Sequence, residues 1–191
     1  CIVCPFHGWR YDSRGQCIDI PYSDHIPERG KLHAYPVMEW AGLIIAYFSP
    51  DNAAPTWTPD LPDFDPRHWT LYGSQRWTVR VHVQEIGENA VDPAHFLYVH
   101  GTQNVPTPEL MEFDGVHRRG RLVSRMATPR GEIVGTIVNN SVGPGQSTVR
   151  FSGICETVLM ANLTPVDKEH SRAFYAFLQK KVDGKEPVGG V

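Results

Sequence analysis

Prolines at positions 50, 55, 59, 62 and 66 crowd one stretch of the 191-residue chain. Each removes a backbone N–H donor and fixes φ, so neither a helix nor a sheet strand runs through this stretch. The stretch is therefore a linker. It divides the chain into residues 1–66, linker included, and residues 67–191, a length compatible with two small domains. Hydrophobic residues make up 41% and charged residues 20%, the composition of an ordinary globular protein. A net charge of −3 argues against nucleic acid or an anionic membrane surface as partner.

The first part reads as short strands and turns. Tyr11-Asp12-Ser13-Arg14-Gly15 is a turn leading into a strand at Cys17-Ile18-Asp19-Ile20, and Leu43 to Phe48 is a buried strand. Ahead of these stands Cys4-Pro5-Phe6-His7-Gly8-Trp9. A thiolate and an imidazole three positions apart are a soft and borderline ligand pair for iron or zinc. Pro5 stiffens the turn between them, and Gly8 lets the backbone pass close to a bound group. Two rival readings stand beside a two-ligand half-site: a zinc site from Cys1, Cys4, His7 and Cys17, or a buried cysteine beside a core histidine.

The second part reads as a strand at 75–83, a helical stretch at 84–100 interrupted at Asp92-Pro93, and a meander. The meander strands are expected at 120–126, 131–140, 148–153, 156–163 and 172–181, with turns at Thr128-Pro129-Arg130-Gly131 and Gly143-Pro144-Gly145. Strands in series with one embedded helical segment define an α+β fold. Asn89, Asp92 and His95 recur every three residues, which puts them on one face of a continuous helix. Two histidines with a carboxylate suit a mononuclear iron site with positions left open. His95 and His100, however, lie about 140° apart round an ideal helix, poor ligand spacing unless the helix bends or ends between them. Asp92-Pro93 reads as an N-cap followed by proline at the first helical position. The competing reading is a pair of half-buried histidines on an amphipathic helix.

Taken in this order, Cys-Pro-x-His-Gly-Trp and then Asn-x2-Asp-x2-His-x4-His resemble the two metal-binding stretches of the Rieske non-haem iron oxygenase α subunits. Ile20-Pro21-Tyr22, Ile26-Pro27, Val83-Gln84-Glu85-Ile86, Ala94-His95-Phe96, Tyr98-Val99-His100 and Leu163-Thr164-Pro165-Val166-Asp167 are similar to the steroid-acting branch, the 3-ketosteroid 9α-hydroxylase oxygenases and cholesterol 7-desaturases. The resemblance implies the C-terminal part of a small all-β Rieske domain in 1–66. Part of a helix-grip catalytic domain with an antiparallel sheet follows in 67–191.

By the same resemblance, Cys4 and His7 bind a [2Fe-2S] cluster, one on each iron. His95 and His100 bind mononuclear Fe(II), and Asn89 lines that site. Asp92 joins the two centres across a subunit boundary through His7 of a neighbour, and its carboxylate accepts the free N–H of His95. An upstream Cys-x-His and a downstream Asp would complete the two ligand sets. Asp114, Asp167 and Asp183 do not match the context of that Asp.

The implied partners are a ferredoxin or a flavin/iron–sulfur reductase, O2 and a hydrophobic small molecule, in a homotrimer when full length. Four cysteines without regular spacing are no secreted disulfide framework. With no signal peptide and no apolar run of membrane-spanning length, the expected compartment is the cytoplasm, an anchor upstream of Cys1 being left open. The alternatives in other classes are a Rieske-type electron-transfer protein without catalysis and a zinc-stabilised structural module.

Overall fold

The computed structural model describes residues 1–59, 64–129, 131–153 and 156–187, with Leu71 and Tyr72 described by their backbone alone. Pro62 and Arg130, parts of the expected linker and of one expected turn, lie outside the described residues. The chain forms two compact units, Cys1–Thr58 and Pro59–Val191.

Among its described residues the first unit contains strands only. β1 (Ile2–Val3), β2 (Arg10–Tyr11) and β3 (Cys17–Asp19) form a three-stranded antiparallel sheet, and β4 (Val37–Trp40) pairs with β5 (Leu43–Ala46). Asp12 builds the turn between β2 and β3, its Oδ1 accepting the Arg14 and Gln16 N–H groups at 2.9 Å each. Tyr11, Cys17 and Ile20 form the small buried core, with Cys4 and Trp9 packed against it. The β4–β5 hairpin turns on Ala41 (φ 48°) and Gly42 (φ 78°), both left-handed, as a two-residue hairpin loop requires.

The second unit is built on a seven-stranded antiparallel sheet in the order β6-β12-β11-β10-β9-β8-β7. Its strands are β6 (Trp69–Val79), β7 (Thr107–Asp114), β8 (His117–Thr128), β9 (Gly131–Val142), β10 (Gln146–Phe151), β11 (Thr157–Pro165) and β12 (Ser171–Lys180). The last five match the expected meander, with ends shifted by a few residues. The expected strand at 75–83 is corrected: the strand begins at Trp69, and Val83 is the buried first residue of a helix. Asp65 starts the strand early. Its carbonyl accepts the His68 and Trp69 N–H groups at 2.9 Å each, and its carboxylate holds the Arg67 N–H and guanidinium. Those bonds from Arg67 pull the Asp65 carboxyl down to about 2. β7 was not expected at all. All its residues are exposed, and it carries Pro108 at a register shift, features of an edge strand.

β6 and β7 occupy opposite edges of this sheet, so the chain between them must cross it. That crossing carries the only two helices among the described residues, α1 (Val83–Asn89) and α2 (Ala94–Tyr98). His82 caps α1, its Nδ1 accepting the Gln84 N–H at 3.3 Å. α1 runs over β11. The crossing starts from a fixed point. Ser171 on β12, fully buried, donates from Oγ to the Val81 carbonyl at 2.9 Å. The antiparallel α+β class expected from the sequence is the class observed. No helix among the described residues is long and apolar enough to cross a membrane.

Candidate metal sites

In the first unit, Cys4 to Trp9 closes on itself. The Gly8 N–H donates to the Cys4 carbonyl and the Cys4 N–H to the Trp9 carbonyl, each at 2.9 Å. Gly8 has φ 73°, which favours glycine, and a Cβ there would press on Pro21 Cγ at 3.2 Å. Cys4 is a half-buried free thiol and His7 an exposed imidazole on this loop. Trp9 Nε1 donates to Tyr22 Oη at 2.6 Å, tying the loop to the Pro21-Tyr22 turn. Burial first, and then Cys17, Cys4 and Tyr22, push the Tyr11 phenol up.

One thiol and one imidazole on a tight loop fit half of a cluster's ligand set, one donor for each iron. The zinc reading fares worse. Cys17 lies in the small core with its Sγ 3.6 Å from the Asp19 carbonyl, and Cys1 is exposed. Among the described residues, no three His, Cys, Asp or Glu side chains are grouped to hold a metal.

In the second unit, α1 ends at Asn89, Ala90 to Asp92 turn, and α2 begins at Ala94. Asn89, Asp92 and His95 therefore do not share one helix face. The capping pattern at Asp92 is real but displaced. Pro93 is the N-cap and makes no side-chain bond, while Asp92 Oδ1 accepts the Ala94 N–H at 2.8 Å. The Asp92 carboxylate does not hold the His95 ring. The Asp92 main-chain carbonyl contacts His95 Nδ1 instead. With Nδ1–H donating there, the lone pair at Nε2 is left for a metal.

α2 stops at Tyr98, and the chain reverses through His100 and Gly101 (φ 67°). The Thr102 N–H closes on the Phe96 carbonyl at 3.1 Å. This ending solves the spacing problem posed by the sequence. The His95 and His100 rings come to 5.3 Å between centroids, at 71° to one another. Phe96 packs against both, at 4.2 and 5.5 Å. Two neighbouring imidazoles, one half-buried and one exposed, fit two ligands of a mononuclear iron site. Asn89 and Asp92 are exposed beside them.

One residue near this segment carries no signal in the sequence. Arg118, at the start of β8, donates from Nη1 to the Gly87 carbonyl at 2.9 Å and from Nη2 to Ser141 Oγ at 2.8 Å. Burial lowers its pKa.

Comparisons with known proteins bear on the family and the fold. Residues 1–36 match the Rieske [2Fe-2S] domain family, and residues 46–188 match the 3-ketosteroid 9alpha-hydroxylase C-terminal domain family. The oxygenase component of a 3-ketosteroid-9-alpha-monooxygenase from Rhodococcus rhodochrous is 28% identical over 97% of this chain and 52% of its own length. A cholesterol 7-desaturase from Xenopus laevis is 35% identical over 52% of this chain and 22% of its own. Among solved structures, NdmB of Pseudomonas putida CBB5 superposes with a TM-score of 0.69 at 24% identity, covering 97% of this chain and 55% of that one. Dicamba monooxygenase bound to 3,6-dichlorosalicylic acid gives a TM-score of 0.69 at 17% identity, over 93% and 60%. These structural likenesses bear on the fold alone. The chain spans about half the length, or less, of the relatives it matches. A Rieske match followed by a C-terminal-domain match over most of the remaining residues establishes the lineage: the chain belongs to the Rieske oxygenases, in the 3-ketosteroid 9α-hydroxylase group.

Proposed function

We propose that this chain is part of the oxygenase component of a Rieske non-haem iron oxygenase, acting on a hydrophobic, steroid-like small molecule. The observation that carries the reading is the meeting of His95 and His100, brought to 5.3 Å by a helix that ends between them. The relatives' names, a 3-ketosteroid monooxygenase component and a cholesterol desaturase, support the substrate class. A ferredoxin or flavin/iron–sulfur reductase would deliver the electrons.

In this reading Cys4 and His7 hold a [2Fe-2S] cluster and His95 and His100 hold mononuclear iron. When bound, the cluster stores an electron and the iron(II) activates O2 for oxidation of a C–H bond. The chain's own contribution is positioning. The two main-chain bonds of the Cys4–Trp9 loop fix the thiol and the imidazole relative to each other. The Asp92 carbonyl holds His95 in the tautomer with its proton on Nδ1, which leaves Nε2 without a proton. Phe96 packs an apolar ring against both imidazoles.

Asp92 has a second use. Its Oδ1 is engaged by Ala94, while Oδ2 has no hydrogen bond among the described residues. That oxygen is the acceptor for an imidazole N–H arriving from outside the chain, which the family pattern assigns to His7 of a neighbouring subunit in a homotrimer. Asn89, the last residue of α1, is exposed.

Metal content tests the assignment in the protein expressed with its native flanking sequence. Cys4→Ala or His7→Ala should eliminate acid-labile sulfide and leave mononuclear iron. His95→Ala or His100→Ala should eliminate mononuclear iron and product formation and leave the cluster, because a site of two histidines and one carboxylate has no ligand to spare. Full iron content and turnover in either histidine variant would refute the mononuclear site. Stoichiometric zinc without sulfide would instead establish the structural-module reading.

A further inference from the structure

The segment bearing His95 and His100 is a long crossing between opposite sheet edges, and its helices are short. Helices of this length have little stability of their own, so their position must come from the sheet beneath. Beyond the Ser171–Val81 bond that fixes its start, two bonds from β8 bracket the histidine-bearing part of the segment. Upstream, Arg118 Nη1 donates to the Gly87 carbonyl at 2.9 Å. Downstream, the Arg125 N–H donates to Asn104 Oδ1 at 3.2 Å. The first is the stronger, since a guanidinium is the donor and the site is half-buried.

Arg118 is itself held by a prepared seat. Ser141 on β9 is its direct cross-strand partner and accepts from Nη2 at 2.8 Å. Asn139, two residues earlier on the same face of β9, lies 3.4 Å from Nη2 and accepts from Ser141 Oγ at 2.8 Å. Ser141 is buried, and among the described residues no carboxylate pairs with the guanidinium. Its charge is therefore directed at the C-terminal end of α1, where the helix dipole is negative and the last turn supplies no basic residue.

From Gly87 a relay of bonds leads to the histidine. The Ala90 N–H returns to the Gly87 carbonyl, Val91 to Glu88 and Asp92 to Asn89, after which Asp92 holds both the start of α2 and the His95 ring.

We infer that Arg118 is the positioning residue of the mononuclear-metal segment. It anchors the end of α1 on the sheet so that His95 is presented to the metal at a fixed place. The inference rests on the reading of His95 and His100 as metal ligands, and the test separates the two.

The test uses the 191-residue chain with cobalt(II) as probe, binding at the pair being the share that His95→Ala eliminates. Arg118→Met keeps the aliphatic stem and removes the fork. It should speed hydrogen exchange of the amides at 88–100 about tenfold, the size of one lost charged hydrogen bond, and leave β9 to β12 protected. It should weaken cobalt binding at the pair by a similar factor and shift the cobalt d–d bands. Arg118→Lys keeps one bond and should recover part of both effects. Faster exchange with unchanged cobalt affinity and spectrum would reduce Arg118 to a structural role and overturn the inference. Unchanged exchange would overturn it outright. If His95→Ala leaves cobalt binding intact, the metal-pair reading falls, and the inference falls with it, whatever the exchange shows.

Discussion

Asp92 does three things with three oxygen atoms. Oδ1 accepts the Ala94 N–H and starts α2, the main-chain carbonyl holds the His95 ring, and Oδ2 stays without a hydrogen bond among the described residues. Sequence patterns point to the residue but put the His95 contact on its carboxylate instead of its main-chain carbonyl. Side-chain capping was legible because Asp before Pro is a local signal. The carbonyl contact was not, because a main-chain acceptor is the same at every position and leaves no mark in the residue type. A prediction follows at this scale. Asparagine presents the same Oδ1, so Asp92→Asn should unfold at the midpoint of the parent chain. Asp92→Ala should lose about 1 kcal/mol, the usual cost of a lost cap. Denaturant unfolding of both variants checks this, and an equal loss in both would show that charge rather than capping stabilises α2.

Among the elements, what could be read was what repeats. Strands β8 to β12 alternate or run apolar between Gly- and Pro-containing turns, and their places are close to expectation. β7 was missed because its exposed residues and Pro108 give an edge strand the look of a loop. The β6–α1 boundary was misplaced because Val81 and Val83 continue an apolar alternation, while the His82 cap that ends it is a rare one. The approach of His95 and His100 depends on where α2 stops. A Val-His-Gly ending does not reveal that without the backbone, although Gly101 at φ 67° is its agent.

The hairpin between β4 and β5 carries a prediction of its own. Ala41 sits at φ 48°, where a Cβ costs roughly 1 kcal/mol, beside Gly42 at φ 78°. Asn-Gly is the sequence this turn favours. Ala41→Asn should therefore slow amide exchange across the Trp40–Leu43 hairpin about threefold. Faster exchange would mean that the turn is not of this type.

In the whole molecule, each unit carries a different candidate metal-binding motif. The first brings a thiol and an imidazole on a closed loop, and the second brings two imidazoles at the end of a helix. The family matches fall in the same order, Rieske domain first and hydroxylase C-terminal domain after it. This order was legible in two short motifs, because thiol, imidazole and carboxylate at short spacings are a local chemical signal. The sheet interactions that support them were not legible, since Arg118, Asn139 and Ser141 are ordinary strand residues until the register brings them together.

The central claim is that His95 and His100 share one iron in this fold. Crystals of the iron-loaded protein, expressed with its native flanking sequence and measured on either side of the iron absorption edge, test it most directly. The account predicts an anomalous iron peak within bonding distance of Nε2 of both His95 and His100, separate from a second peak at Cys4 and His7. Iron at the Cys4 loop with none between the two histidines would contradict it.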